Sequence, residues 1–271
     1  MSKTKIIAVS VKKGGEGKTT LSTNQSALLA KSGAKTLLID LDPQGHVIHV
    51  FGQDPKKLQH TIYTVLKGNT DLKDVVIENI VPNLDILPSN NELDYFIAEP
   101  GGSKRVGNLI TKIAESGKYK YIVIDTAPAF NNITYEIYDR SDLVLIPFTC
   151  SNHAEEALND IVKALPVLTE VNNKVQLLIV PNKYKLLARN GVESKNSMYK
   201  QSLDAQKENV RNNKNIIIGN FISLSDQYNI AEVYEQLPLV LVKKQTKSML
   251  KPISEQEELL KNIVKLLVNK K

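Results

Sequence analysis

The chain of 271 residues is 42% hydrophobic, which is enough for one large core, and we expect a single domain spanning residues 1–271. Its one cysteine, Cys150, excludes a disulfide framework and a cysteine-liganded cluster within one subunit, which favours a reducing, cytoplasmic location. No apolar run approaches the roughly 18 residues that spanning a bilayer needs. The net charge of +6 favours polyanionic partners without requiring them.

Apolar, strand-like runs alternate with helix-like segments from one end of the chain to the other. Because these runs are continuously apolar, rather than apolar at every second position, each strand is predicted to be buried on both faces. The predicted fold class is therefore α/β, with a doubly wound, mainly parallel sheet that helices flank on both faces. The predicted strands are residues 6–11, 36–41, 84–87, 121–124, 143–146 and 175–180, and the predicted helices are residues 19–31, 106–115, 155–165 and 254–268.

The segment KKGGEGKTT, residues 12–20, lies between the first predicted strand and the first predicted helix. Its glycines allow successive backbone N–H groups to point at phosphate oxygens, and the helix N-terminus adds a positive dipole end. Lys18 would reach the β- and γ-phosphates, the Thr19 hydroxyl would ligate Mg²⁺, and Thr20 would contact the α-phosphate. A glycine-rich turn without a ligand is the alternative. We predict a P-loop that binds ATP and Mg²⁺, with Lys13, Gly14, Gly15, Glu16, Gly17, Lys18, Thr19 and Thr20 as the binding residues.

The P-loop departs from the general pattern, because Lys12 stands where a glycine is expected and a further lysine, Lys13, follows it. This KGGxGKT form resembles the deviant P-loop of the ParA/MinD superfamily, and in particular of the ParA/Soj family of DNA-partitioning ATPases. The resemblance implies that Lys13 crosses a nucleotide-sandwiched dimer to the phosphates of the partner. There it would neutralise charge on the transferred phosphoryl group. A solvated surface lysine is the alternative.

Three aspartates stand at the carboxyl ends of predicted strands: Asp40 and Asp42 in LLIDLDPQG, and Asp125 in YIVIDTAP. Ligands of doubly wound sheets bind beyond these strand ends, so the aspartates are predicted to meet the P-loop. Asp125 would hold Mg²⁺ together with Thr19. The resemblance implies that Asp42 positions the attacking water and that Asp40 helps to order the water around the metal, whereas capping of strand ends is the alternative role. Lys13, Lys18 and Asp42 are thus the predicted catalytic residues.

The resemblance continues through TIYTVLKG, NLDILPSNNELD, SDLVLIPF and PNKY, and it implies that Asn182 contacts adenine. Glu16 stands where the family commonly has Val and adds a negative charge beside the phosphate loop. His46 and Ile48 depart from the family pattern after DPQG. The segment 216–221 lacks the Pro and Arg that flank the base in the family. The few residues before the first strand leave no room for an N-terminal helix-turn-helix, so the chain resembles the shorter form of the family.

Basic residues cluster in two stretches near the C-terminal end. Residues 183–214 hold eight basic residues against three acidic ones, and residues 243–251 add four lysines without an acidic residue. Such clusters suit sequence-independent contacts to duplex phosphates, although a solvated face is the alternative. The candidate DNA contacts are Lys183, Lys185, Arg189, Lys195, Lys200, Lys207, Arg211, Lys243, Lys244 and Lys247.

The predicted function is therefore Mg-ATP-dependent DNA partitioning by a nucleoid-associated protein. An ATP-bound homodimer would bind DNA non-specifically, and slow hydrolysis, stimulated by a ParB-like centromere-binding partner, would release it. The alternative is a MinD-like peripheral membrane ATPase, which would expose apolar residues of a C-terminal amphipathic helix. The apolar stripe of residues 259–267 is more simply explained by core packing, so no stable membrane association is expected. Iron–sulfur carriers with this P-loop would need more cysteines than this chain has.

Overall fold

The computed structural model describes residues 3–128, 132–149, 175–184, 188–189, 192–193, 198–211 and 213–268. The strands within these ranges are β1 (Lys5–Val9), β2 (Thr36–Leu41), β3 (Ile77–Val81), β4 (Leu84–Leu87), β5 (Tyr121–Thr126), β6 (Leu143–Thr149), β7 (Gln176–Asn182), β8 (Ala188–Arg189), β9 (Val192–Glu193) and β10 (Ile216–Ile218). Eight of these described strands form one sheet in the order β10-β7-β6-β1-β5-β2-β4-β3, and β8 pairs with β9 in a separate hairpin. All pairings in the large sheet are parallel except that of β3 with β4.

The helices connect the strands and cover both faces of the sheet. Those that the structure describes are α1 (Lys18–Lys31), α2 (His46–Val50), α3 (Ile62–Leu66), α4 (Leu72–Val75), α5 (Glu92–Ala98), α6 (Gly102–Glu115), α7 (Asn132–Arg140), α8 (Met198–Val210), α9 (Gln227–Ile230) and α10 (Lys247–Val268). Short 3₁₀ turns occur at Pro55–Lys57 and Leu239–Leu241, and a π-helical turn follows α9 at Ala231–Glu235.

Alternate residues of each central strand pack against different helices. In β1, Ile6 and Ala8 belong to a buried cluster shared with α6 and α7, whereas Ile7 and Val9 belong to a second cluster shared with α1 and α10. Every residue of β2 and of β5 is buried. Continuous apolar character in the sequence therefore has a direct cause, since both faces of each strand are covered. The predicted α/β fold class is confirmed.

Some element boundaries differ from the prediction. β1 ends at Val9 rather than at residue 11, because the chain leaves the ladder there to enter the P-loop. The antiparallel β3 was not predicted, since its residues are partly exposed and its sequence carries no continuous apolar run. α10 begins seven residues earlier than predicted and contains Pro252 in its second turn, where the lost N–H removes one hydrogen bond without ending the helix. The helix predicted for residues 155–165, and Cys150, lie outside the described ranges.

The apolar stripe of α10 packs against the sheet. Leu259, Ile263 and Leu267 are buried in the second cluster, and Leu260 and Val264 pack against it. None of the helices described here is long and apolar enough to cross a membrane. The residues that a membrane-binding helix would expose are thus largely used in the core.

Candidate active site

The P-loop connects β1 to α1 and leaves the helix N-terminus open. Gly17, the N-cap residue, has a left-handed backbone with φ of 89°. A glycine has no side chain that could cap the helix, and the first turn of α1 holds no acidic residue. The first N–H groups of the helix and its positive dipole end therefore face the cleft uncompensated, which suits an anion.

Two side chains at the end of β7 bind carbonyl groups of the loop. Lys183 Nζ donates to the Gly15 carbonyl at 2.6 Å, and Asn182 Nδ2 donates to the Glu16 carbonyl at 2.7 Å. A trans peptide points its N–H opposite to its carbonyl, so these contacts turn the N–H groups of Glu16 and Gly17 the other way. Gly14, Gly15, Gly17, Thr19 and Thr20 line a cleft of about 540 Å³ together with Asp42, Asn182 and Lys183.

Gly17 is required for two reasons. Its positive φ is unfavourable for any residue with a side chain, and a Cβ at this position would overlap the amide nitrogen of Asn182. Asn182, which the sequence singled out as an adenine contact, thus also packs against the turn that opens α1. Its contact with a base stays a prediction, whereas its support of the loop is visible in the structure.

Lys18 lies almost buried at the base of the loop and donates to the Lys13 carbonyl at 3.2 Å. Burial lowers the pKa of its ammonium group, while the negative charges of Asp125, Asp42 and Glu16 act in the opposite direction. The lysine is therefore surrounded by carboxylates at a point where a phosphate would add further negative charge.

The register of the sheet places Asp40 directly beside Asp125, and both side chains are fully buried. Asp125 Oδ2 accepts the Thr19 hydroxyl at 2.8 Å, whereas its Oδ1 has no hydrogen-bond partner among the described residues. Burial, with help from the charge of Asp42, raises the pKa of Asp125 to about 7. A buried, unpartnered carboxylate oxygen next to a hydroxyl fits a divalent cation, which would satisfy that oxygen and favour the ionised form.

The donor set near the P-loop suits Mg²⁺ bound with a nucleotide. In the described part of the chain, no group of three or more His, Cys, Asp or Glu side chains is arranged to hold a metal alone. Mg²⁺ typically takes one or two protein ligands and completes its octahedron with phosphate oxygens and waters. Thr19 and Asp125 would be those protein ligands.

Asp40 braces the loop that follows β2. Its two carboxylate oxygens accept the backbone N–H groups of Asp42 at 2.9 Å and Val47 at 3.1 Å. Burial, and the neighbouring charge of Asp125, raise the pKa of Asp40 well above its usual range. Its predicted place in the water shell of the metal stays a prediction. Asp42 Oδ1 accepts the Gln44 N–H at 3.0 Å, and its side chain reaches the cleft.

Several further residues of the cleft were not predicted from the sequence. The segment 223–229 forms the wall opposite the P-loop and includes Ser223, Asp226 and Tyr228. α10 holds this wall in place, because Glu255 accepts the Ser223 N–H at 2.7 Å and Gln256 donates to the Tyr228 hydroxyl at 2.9 Å. The sequence prediction stopped at residue 221, just before this wall. Of the two departures after DPQG, His46 lines the cleft and Ile48 is a core residue.

The candidate DNA contacts fall into three groups. Lys200 and Lys207 pair with Asp204, and Arg211 pairs with Glu208, all on the surface of α8 and the residue that follows it. The candidate lysines of the second stretch are exposed and have no carboxylate partner within the described ranges; they are Lys243, Lys244 and Lys247. The fourth lysine of this stretch, Lys251, pairs with Glu255. Lys183 contacts the P-loop, only the backbone of Arg189 is described, and Lys185 and Lys195 lie outside the described residues.

The family model and the relatives that match this chain are consistent with one another. A family model described as an AAA domain (AAA_31) matches residues 4–179. A ParA family protein of Mycoplasma genitalium is 28% identical over 273 aligned residues, which cover 96% of this chain and 97% of that protein. The sporulation initiation inhibitor protein Soj of Bacillus subtilis is 34% identical over 163 residues, which cover 59% of this chain and 64% of Soj.

Solved structures share the fold along almost the whole chain. An ATP complex of McdA from Cyanothece has a TM-score of 0.80 at 21% identity and covers 100% of this chain and 99% of that chain. A plasmid partition protein from Borrelia burgdorferi has a TM-score of 0.69 at 25% identity, with 97% and 99% covered. Cobyrinic acid a,c-diamide synthase from Mycobacterium smegmatis, with ADP and magnesium, has a TM-score of 0.69 at 20% identity, with 96% of each chain covered. The shared fold therefore carries different activities, and the site itself must decide among them.

Replacing Asp125 by Asn tests the charge of the site without nucleotide. The raised pKa means that the folded chain retains a proton on Asp125 that the unfolded chain loses near pH 4, so its contribution to stability falls as the pH rises toward about 7. We expect Asp125→Asn to stabilise the nucleotide-free protein above pH 7 by on the order of 2–4 kcal/mol, with a smaller gain at pH 5. Thermal or urea unfolding across this pH range measures the effect.

The surface variant Asp71→Asn is the control, because the Asp71 side chain is 77% exposed. If the free energy of unfolding had the same pH dependence in wild type and in Asp125→Asn, the raised pKa of Asp125 would be contradicted.

Replacing Asn182 by Ala separates support of the loop from recognition of the base. The change removes the hydrogen bond to the Glu16 carbonyl, so we expect ATP and inorganic tripolyphosphate to lose affinity by similar factors, about threefold to thirtyfold. Competition against a fluorescent nucleotide measures both ligands. A loss confined to ATP would show instead that Asn182 acts on the base alone.

Proposed function

Because this chain belongs to the ParA/MinD superfamily of P-loop ATPases, we propose that it is a DNA-partitioning ATPase that works as an ATP-dependent switch. In this proposal an ATP-bound homodimer binds duplex DNA without sequence preference and associates with the nucleoid. Hydrolysis, slow by itself and stimulated by a ParB-like centromere-binding partner, then releases the DNA. The relatives named ParA and Soj, and the plasmid partition protein of similar structure, support this assignment.

The observation that carries the proposal is the open P-loop beside a buried carboxylate pair, with a second lysine at the outer edge of the loop. Lys18 and the N–H groups at the start of α1 would bind the phosphates, and Asp42 would orient a water for attack on the γ-phosphate. Bound Mg²⁺ would supply electrostatic stabilisation of the phosphate charge, held by Thr19 and Asp125. The Lys13 side chain, which is 41% exposed, is accessible to a second subunit.

DNA binding is supported by the lysines around the start of α10. Lys247 lies in the first turn of α10, which contains no acidic residue, and Lys243 and Lys244 precede it in the chain. Cations at the positive end of a helix dipole are unfavourable unless an anion compensates them. Phosphates of a duplex would supply that compensation, and a dimer would double the number of contacts.

The peripheral membrane alternative has less support. A membrane-binding helix must present bulky apolar residues to the bilayer, but Leu259, Ile263 and Leu267 are buried against the sheet. The large apolar residues that the described part of α10 exposes are Leu250 and Val268, at opposite ends of the helix. Binding to anionic liposomes only in the presence of ATP, without binding to DNA, would reverse this preference.

Reversing the charge of Lys243 and Lys247 tests the DNA surface. We expect the wild type to bind random-sequence duplex DNA tightly only with ATP, and the double variant Lys243→Glu, Lys247→Glu to bind at least about tenfold more weakly with a reduced salt dependence. Fluorescence anisotropy with ATP, ADP or no nucleotide, at low and moderate salt, measures both quantities.

Lys261→Glu is the matched control, because Lys261 is an exposed lysine of the same helix and pairs with Glu258. Equal losses in the control and the double variant would indicate a general effect of charge rather than a DNA-binding surface. Absence of DNA binding in every nucleotide state would refute the proposed function.

A further inference from the structure

Glu16 differs from an ordinary surface carboxylate of a loop. Its side chain is only 4% exposed although it lies in the middle of the P-loop, and Oε1 is 3.1 Å from the Lys13 ammonium nitrogen. Its other oxygen, Oε2, accepts the Thr149 backbone N–H at 2.8 Å. The residue that departs from the family pattern is thus bonded to the lysine that defines the family.

The glutamate is the fixed member of this pair. Thr149 ends β6 and stands beside Asn182 of β7 in the parallel register, and Asn182 in turn binds the backbone carbonyl of Glu16. Glu16 is therefore attached to two neighbouring strands, through its side chain and its main chain. Lys13, which is ten times more exposed, is the member that has freedom to move.

Electrostatics explain why Glu16 pairs with Lys13. A carboxylate with so little contact with water requires compensation by a cation or by hydrogen-bond donors. Glu16 obtains one of each, from Lys13 and from Thr149. Moving Lys13 away leaves the carboxylate with the Thr149 N–H as its hydrogen-bond donor among the described residues. Lys13 therefore leaves Glu16 readily only when another anion binds its ammonium group more strongly.

We propose that Glu16 is a positioning residue that holds Lys13 against its own P-loop in the nucleotide-free chain and releases it when the phosphates of a partner subunit compete for it. The inference rests on the proposed function, since it requires that Lys13 act across a dimer. While Lys13 is paired with Glu16, its ammonium group is not available to the partner. Glu16 therefore raises the nucleotide concentration at which dimers form and suppresses hydrolysis before assembly.

A different role of Glu16 has different consequences. A carboxylate near the phosphates can weaken nucleotide binding simply by repulsion. That effect would appear as an increased affinity of the monomer for nucleotide when Glu16 loses its charge, and it would not depend on Lys13. The two roles are therefore separable by measuring Lys13 itself, the monomer and the dimer.

The substitution Glu16→Gln is the sharpest test, because the amide oxygen can still accept the Thr149 N–H while the charge is lost. The first measurement is the rate at which an amine-specific acylating reagent modifies Lys13 in the nucleotide-free protein, read by mass spectrometry with the exposed Lys244 as internal reference. We expect Glu16→Gln to increase the Lys13 rate about twofold to fivefold, as for the loss of a partly exposed ion pair. Glu258→Gln, which removes the same charge from a surface pair, should leave it unchanged.

The second measurement is dimer formation against the concentration of a non-hydrolysable ATP analogue, by sedimentation velocity. We expect the midpoint to fall about threefold to tenfold in Glu16→Gln, while monomer affinity measured with ADP changes less than the midpoint. Glu16→Val, which restores the common residue of the family, is the second variant and should act in the same direction if it retains the wild-type melting temperature.

The possible failures are distinguishable. An unchanged Lys13 labelling rate in Glu16→Gln would show that Glu16 does not hold Lys13, and would overturn the inference. An unchanged or higher midpoint despite faster labelling, or a gain explained entirely by monomer affinity, would overturn the regulatory role of the pair. Wild-type dimerisation by Lys13→Ala would instead refute the action of Lys13 in dimer assembly, and with it the regulatory role of the pair, whereas the proposed function is refuted separately by the absence of DNA binding.

Discussion

The parallel register of β1, β5 and β2 is the constraint on which the rest of the site depends. It aligns Val9 with Asp125 and Asp125 with Asp40, so that the loop after β1 and two carboxylates meet at one edge of the sheet. A shift of β2 or β5 by one residue would turn its aspartate to the opposite face of the sheet and separate the two carboxylates. The core packing that fixes this register therefore also fixes the position of the charges.

That arrangement leaves the nucleotide-free protein with charge that it does not fully compensate. Asp40 and Asp125 are buried side by side, and Lys18, whose positive charge acts on Asp125, is itself partly desolvated. The open N-terminus of α1, whose Thr19 hydroxyl donates to Asp125, adds positive potential beside these carboxylates. Mg²⁺ and a triphosphate carry the complementary charges, so the site is organised in advance for a ligand that stabilises the folded chain when it binds. Buried charge that the protein alone does not compensate is common at functional sites.

The sequence was informative where a local pattern of residue types has one structural explanation. Continuous apolar runs predicted the buried strands, and Gly-Lys-Thr after a strand predicted the P-loop. It was uninformative where the outcome depends on distant partners. Nothing local indicates that Glu16 turns inward to Lys13 and Thr149, that Asn182 supports the loop through its amide, or that the segment after residue 221 forms a wall of the cleft. The helix predicted to begin at residue 254 begins at Lys247 and continues through Pro252.

Mixing two inactive variants tests the central claim most directly, namely that Lys13 of one subunit completes the site of the other. Lys13→Ala lacks the lysine and Asp42→Asn lacks the residue that positions water, so neither should hydrolyse ATP alone. In a mixture, each heterodimer has one complete site if Lys13 acts across the dimer, and we expect recovery of at most about a quarter of the wild-type ATPase rate at equal concentrations. Absence of any recovery, despite heterodimers detected in the same sample, would contradict the account.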